Sequence, residues 1–140
     1  MDPKTACPEC GAPDCRDKFD GMLALEFEDP AVFGAVHHIT VICYNLQHPA
    51  TFTDEAIAWM RSSLRAIIVD GLSATELRNW ARKTTKGDIK IKHRIQSPED
   101  PSKIHWSMTV ADIRLENPEV YREDIVAWAK SILKDLHIES

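Results

Sequence analysis

The chain has 140 residues, 44% of them hydrophobic and 28% charged, with a net charge of −5. That length suits one domain with one core, burying about 68–70% of the unfolded surface, and the composition excludes a disordered, collagen-like or purely coiled-coil chain. No apolar run approaches the roughly 20 residues of a spanning helix. The opening MDPKTACPEC carries no apolar leader, so we expect a soluble, cytoplasmic protein with no membrane partner.

In chain order, residues 1–15 hold three of the four cysteines and read as a compact cysteine-rich knuckle. The spacing of Phe19, Met22, Leu23 and Phe27 predicts a helix over 15–28, with Asp14 as its N-cap. Asp29-Pro30 interrupts it, because the residue before a proline is pushed out of the α region. A second helix is predicted over 30–48, with Pro30 at its first position and Val32, Val36, Ile39 and Cys43 on one stripe. The pair should fold as an antiparallel hairpin.

A third helix is expected from about 54 to 70, with Thr53 as N-cap, Gly71 as C-cap, and Ile57, Met60, Leu64, Ile67 and Ile68 inward. Ser73 and Glu76 make a capping-box pattern opening a short helix with Leu77 and Trp80. Residues 83–104, with Lys86-Gly87, Ser97-Pro98 and Asp100-Pro101, read as an irregular exposed excursion with room for a short strand at Ile89 and Ile91. Ser107–Leu115 suggests a helical turn. Asn117-Pro118-Glu119 then starts a final helix that faces Ile125, Trp128, Ala129, Ile132 and Leu136 inward. The expectation is a mainly α, single-domain helical bundle spanning 1–140, divided into the knuckle (1–15), a helical hairpin plus helices (15–82), the irregular loop (83–104) and a C-terminal helical part (105–138).

Charge is unevenly spread. Residues 1–60 hold ten Asp and Glu against three Lys and Arg, whereas 61–94 hold three against nine. The basic stretch includes Arg78, Arg82, Lys83, Lys86, Lys90, Lys92 and Arg94, but only Trp80 is interleaved as a stacking residue and the chain as a whole is acidic. A solvated basic loop is therefore expected, and nucleic-acid binding is not.

The chemistry concentrates in Cys7-Pro8-Glu9-Cys10-Gly11, followed by Cys15. Two cysteines three apart, with a glycine that permits the tight turn behind them, have the form of a zinc knuckle. A cysteine opening a helix is eased toward its thiolate by the helix dipole, which suits Cys15 as a third ligand. A redox CxxC wants a preceding strand, for which position 7 leaves no room. An iron–sulfur cluster normally takes four cysteines and would recruit Cys43.

Tetrahedral zinc needs a fourth donor. If the hairpin turns near residue 29, Cys15 faces the level of residue 43, leaving Cys43 and His48 nearer than His37. Cys43 lies on the apolar stripe, so His48 is the favoured fourth ligand, with Cys43 and His37 as alternatives. His37, Tyr44 and His48 share a helix face, yet the two histidines are about 16 Å apart along the axis and cannot share one ion. His37 is instead placed to pair with Glu26 or Glu28 across the hairpin, as a hydrogen-bonded core histidine or as an acid/base pair. His38, His93, His105 and His137 read as surface or loop residues.

Cys7-Pro8-x-Cys10-Gly11 with Cys15, His37-x-x-Thr40-Val41-x-x-Tyr44-x-x-Gln47-His48-Pro49, Thr109-Val110-Ala111-Asp112 and Trp128-Ala129 together resemble an uncharacterised bacterial domain-of-unknown-function family over nearly the whole chain. The resemblance implies a metal-associated domain, with Cys7, Cys10, Cys15, His37 and His48 at its recurring positions. It also implies departures here: Ile42 and Cys43 stand where relatives place a small or acidic residue, and Ala58-Trp59-Met60 where they often carry a histidine.

Two functions follow as expectations. The first is a small helical domain with structural zinc on Cys7, Cys10, Cys15 and His48, whose surface binds a protein or small molecule. The second is a metal-dependent enzyme with an open site near His37, Tyr44 and His48, joined by Glu26. No HExxH, phosphate loop or nucleophile motif stands in the sequence.

Overall fold

The computed structural model describes residues 7, 9–49, 52–73, 75, 76, 79 and 106–138. Arg78, Leu77, Trp80, the excursion at 83–104 with its basic residues, His93 and His105 lie outside these. Among the described residues, four helices carry the fold: α1 (Cys15–Glu28), α2 (His37–Leu46), α3 (Asp54–Ile68) and α4 (Pro118–Asp135), with short 3-10 turns at Phe33–Val36 and Val110–Asp112.

Local chemistry sets most of the helix ends. Thr53 accepts the Ala56 N–H to open α3, and Asn117 accepts the N–H groups of Glu119 and Val120 to open α4, with Pro118 just inside. Ser73 and Glu76 form the reciprocal capping box, at 3.0 and 3.1 Å. Thr109 and Asp112 form a second one around the 3-10 turn at 110–112. At the end of α3, Gly71 takes a φ of +75° and lets the Leu72 N–H close on the Ala66 carbonyl.

Two expectations are corrected. Asp14 precedes α1 but sits in the left-handed region at φ +53°, and its side chain does not cap the helix. The long second helix does not begin at Pro30. Residues 30–36 fold instead as a turn and a 3-10 helix, with the Val32 and Gly34 N–H groups both returning to the Asp29 carbonyl. The cause is tertiary. A Cβ on Gly34 would lie 2.7 Å from the Glu26 backbone oxygen, so the segment is pressed against the end of α1, and Phe33 meets the Tyr121 ring edge-on.

The two elements still run antiparallel: Cys15 meets His48, Phe19 meets Tyr44, and Glu26 meets His37. Helices α2, α3 and α4 pack on one another, and α1 lies against the two 3-10 turns and α2. Their shared core holds Met22, Cys43, Leu64, Val110, Tyr121, Ile125, Trp128, Ala129 and Ile132, each fully buried. Phe27 is not on the inward stripe of α1. It is 67% exposed, and Glu26 takes the buried place one turn beyond Met22. No described helix is long and apolar enough to cross a membrane.

Candidate metal centre

The knuckle is built from its backbone outward. The Gly11 N–H donates to the Cys7 carbonyl at 2.8 Å, and the Cys7 N–H donates to the Ala12 carbonyl at 3.1 Å. Gly11 makes this turn possible at φ +85°, where a side chain would be strained. Closing the loop aims the Ala12 N–H at the Cys10 sulfur, 3.5 Å away. Cys15 follows as the first residue of α1, and His48 comes down from the end of α2.

The ligand atoms of Cys7, Cys10, Cys15 and His48 all lie within 4.8 Å of one another. Cys15 Sγ and His48 Nε2 are 3.4 Å apart. Tetrahedral zinc with bonds of about 2.3 Å to sulfur and 2.0 Å to nitrogen requires about 3.5 Å between such a pair and about 3.8 Å between sulfurs. A donor set of three sulfurs and an imidazole nitrogen at this spacing fits a soft or borderline divalent cation.

His48 is prepared for such a role by its other nitrogen. Nδ1–H donates to the Tyr44 carbonyl at 2.7 Å; a carbonyl only accepts, so the neutral ring presents the bare lone pair of Nε2 to the sulfurs. The ring stacks on Tyr44 at 4.0 Å, and Tyr44 in turn stacks on Phe19 at 3.8 Å with an interplanar angle of 6°. Burial, helped by the Arg16 charge, lowers the His48 pKa against the opposing pull of the Tyr44 carbonyl and Glu9, favouring the neutral form that can coordinate.

The sulfurs differ. Burial pushes the Cys10 thiol up to about 12 although the Ala12 N–H works the other way, and the neighbouring Cys7 and Cys15 add to the rise. Cys15 is raised by burial and by Cys7. At Cys7 burial is outweighed by the N–H groups of Cys10 and Glu9 and by the other two thiols, and the group titrates below its ordinary 9.0. Three sulfurs so close cannot all ionise unaided, and a divalent cation would supply the missing balance.

Cys43 stays out of this cluster. It is fully exposed to the core and to no solvent, and burial raises its thiol well above 9.0. The opposing level also moves: because residues 30–36 are not a continuous helix, Cys15 faces 44–48 and not 43.

His37, Tyr44 and His48 do not form one site. Tyr44 and His48 stand beside Cys15, its sulfur 3.9 Å from the Tyr44 hydroxyl, whereas His37 Nδ1–H donates to Glu26 Oε1 at 2.7 Å. Glu26 is buried to 1% exposure, and its Oε2 also accepts the hydroxyls of Thr40, at 2.6 Å, and Tyr121. Gln47 is another buried anchor, accepting from the Trp128 indole at 3.1 Å and donating to the Met108 carbonyl at 2.7 Å. Sequence reasoning did not find the roles of Thr40, Gln47 or Tyr121. The spacing of Thr40 three residues after His37 was the one signal available for any of them.

A family model described as a family of unknown function (DUF5946) matches residues 5–137. The chain belongs to that family. The match takes in all four clustered donors and the Glu26 group, so both belong to the DUF5946 domain. No curated protein and no solved structure matches the chain.

Proposed function

We propose that this DUF5946 chain is a small zinc-binding helical domain. Cys7, Cys10, Cys15 and His48 hold a structural zinc that fastens the N-terminal segment to the start of α1 and the end of α2. The remaining surface serves a protein or small-molecule partner in a reducing cytoplasm, where thiolates stay available to metal.

One observation carries this reading: four donors within 4.8 Å, with the imidazole pre-aligned by the Tyr44 carbonyl. Four protein donors fill a tetrahedral shell and leave no position for water, which favours a structural ion over hydrolytic metal chemistry. The separation of His37 from His48 into different clusters also weighs against the metal-dependent enzyme.

The test is metal analysis of the purified chain. About one zinc per chain is expected, lost in Cys10→Ser, reduced in His48→Ala and retained in His37→Ala. Stoichiometric iron with visible absorption, or full zinc binding by His48→Ala, would overturn the proposal.

A further inference from the structure

At the opposite end of α2 from the clustered cysteines, a carboxylate is buried. Glu26, on α1, has a side chain with 0% exposure and receives three donors from two other elements: His37 and Thr40 on α2 and Tyr121 on α4. A buried carboxylate is tolerated only when paired, and this one takes up three donors that an apolar residue in its place would not need. Two of its donors are sealed in, Thr40 and Tyr121 both being 0% exposed. The third is not: the His37 side chain is 39% exposed.

With Nδ1 committed to a fully buried oxygen, Nε2 is the nitrogen of this 39% exposed side chain that Glu26 does not take. The neutral ring must keep its proton on Nδ1, so Nε2 offers a lone pair. A buried carboxylate that fixes the tautomer of an accessible imidazole is the arrangement that makes histidine a base or nucleophile. Beside it, the Phe27 ring lies 5.2 Å from the His37 ring, is tilted by 49°, and is 67% exposed. An apolar face thus adjoins the nucleophilic edge.

We propose that Glu26 and His37 form a metal-independent acyl-transfer site for activated aryl esters, with His37 as the catalytic residue and Glu26 as the residue that positions it. Nε2 bonds to the acyl carbon while the bond to the aryl oxygen breaks, and the aryloxide leaves with that electron pair. The resulting acyl-imidazolium is balanced by the Glu26 carboxylate through the retained Nδ1 proton. Water then adds to the acyl carbon and gives up one proton, which the departed aryloxide takes, while the C–N bond breaks and its electron pair returns to Nε2. The net reaction converts ester and water to carboxylic acid and phenol. Phe27 supports the aryl group.

The probe is p-nitrophenyl acetate with the zinc-loaded full chain. Turnover about 10-fold or more above the same concentration of free imidazole is expected, falling at least about 10-fold in His37→Gln and staying within about twofold in His38→Gln. Glu26→Gln should lower the rate by about 10-fold and release the His37 ring from its single Nδ1–H tautomer, as read by 15N NMR. Circular dichroism and zinc content accompany each variant; should Glu26→Gln lose its fold, His37→Gln, whose ring is half in solvent, decides alone. A wild-type rate equal to that of imidazole, an unchanged rate in His37→Gln, or hydrolysis that follows zinc content and not His37 would overturn the assignment. The His37 and Glu26 variants leave the zinc reading to its own test, metal content, and only hydrolysis that follows zinc would count against both.

Discussion

The Tyr121 hydroxyl illustrates how much of this molecule depends on single polar contacts. It donates to a carboxylate buried as deeply as itself, and burial together with Glu26 holds the phenol well above its ordinary pKa of 10.0, keeping it a donor at any physiological pH. Tyr121→Phe removes a charge-assisted hydrogen bond and leaves the ring in place. A loss of about 1.5–3 kcal/mol is expected, seen as a fall of roughly 5–10 °C in thermal midpoint. Asp124 gives a pH-dependent counterpart. It accepts the Arg114 backbone N–H at 2.9 Å, Nε at 3.0 Å and Nη2 at 2.9 Å, and the Arg114 side chain, against the effect of burial, lowers its pKa below the ordinary 3.8. A depressed carboxylate contributes stability that is present above pH 3.8 and lost as the pH falls through the lower folded value. Asp124→Asn should flatten that part of the acid-unfolding curve; identical acid limbs in the two proteins would show that the pair contributes nothing.

At the scale of elements, the starts of α3 and α4 were legible, whereas the cap of α1 and the break that delays α2 were not. Thr53, Asn117-Pro118 and Ser73 with Glu76 cap their helices through atoms two or three residues away, and such chemistry can be read from a line of letters. The 3-10 turn at Phe33–Val36 is imposed by contacts with Glu26 and Tyr121, which no local pattern announces. The same distinction holds for the sites. Cys7, Cys10 and Cys15 stand together in the sequence, whereas the meeting of Cys15 with His48 depends on where the helix breaks before residue 37. Glu26 and Tyr121 are 95 residues apart, and Gln47 and Trp128 are 81 apart, so their meetings depend on a packing that must first be known. The close approach at Gly34 makes its own prediction. Gly34→Ala forces α1 and the 3-10 turn apart and should cost about 1–3 kcal/mol, measured by urea denaturation. A variant as stable as the wild type would mean that the two elements slide freely.

For the whole molecule, the zinc reading separates two levels of stability. The packed faces of α2, α3 and α4 bury most of the apolar core, while the knuckle adds Cys10 and Ala12 at its margin and is held besides by its Gly11 turn and the four clustered donors. Chelation should therefore expose Cys7, Cys10 and Cys15 to a thiol reagent while most helicity survives, and Cys43 should react only once the chain unfolds. Four thiols reacting together on chelation would show instead that the ion holds the entire fold.

Gln47 and His48 are neighbours that face opposite ways: one grips the Trp128 indole and the Met108 carbonyl in the interior, the other points at the three sulfurs. Any displacement of this corner of α2 is consequently felt by an aromatic chromophore far along the chain. The Trp128 share of the indole emission, isolated by replacing Trp59, Trp80 and Trp106 with Phe, thus becomes an optical gauge of whether the knuckle is seated.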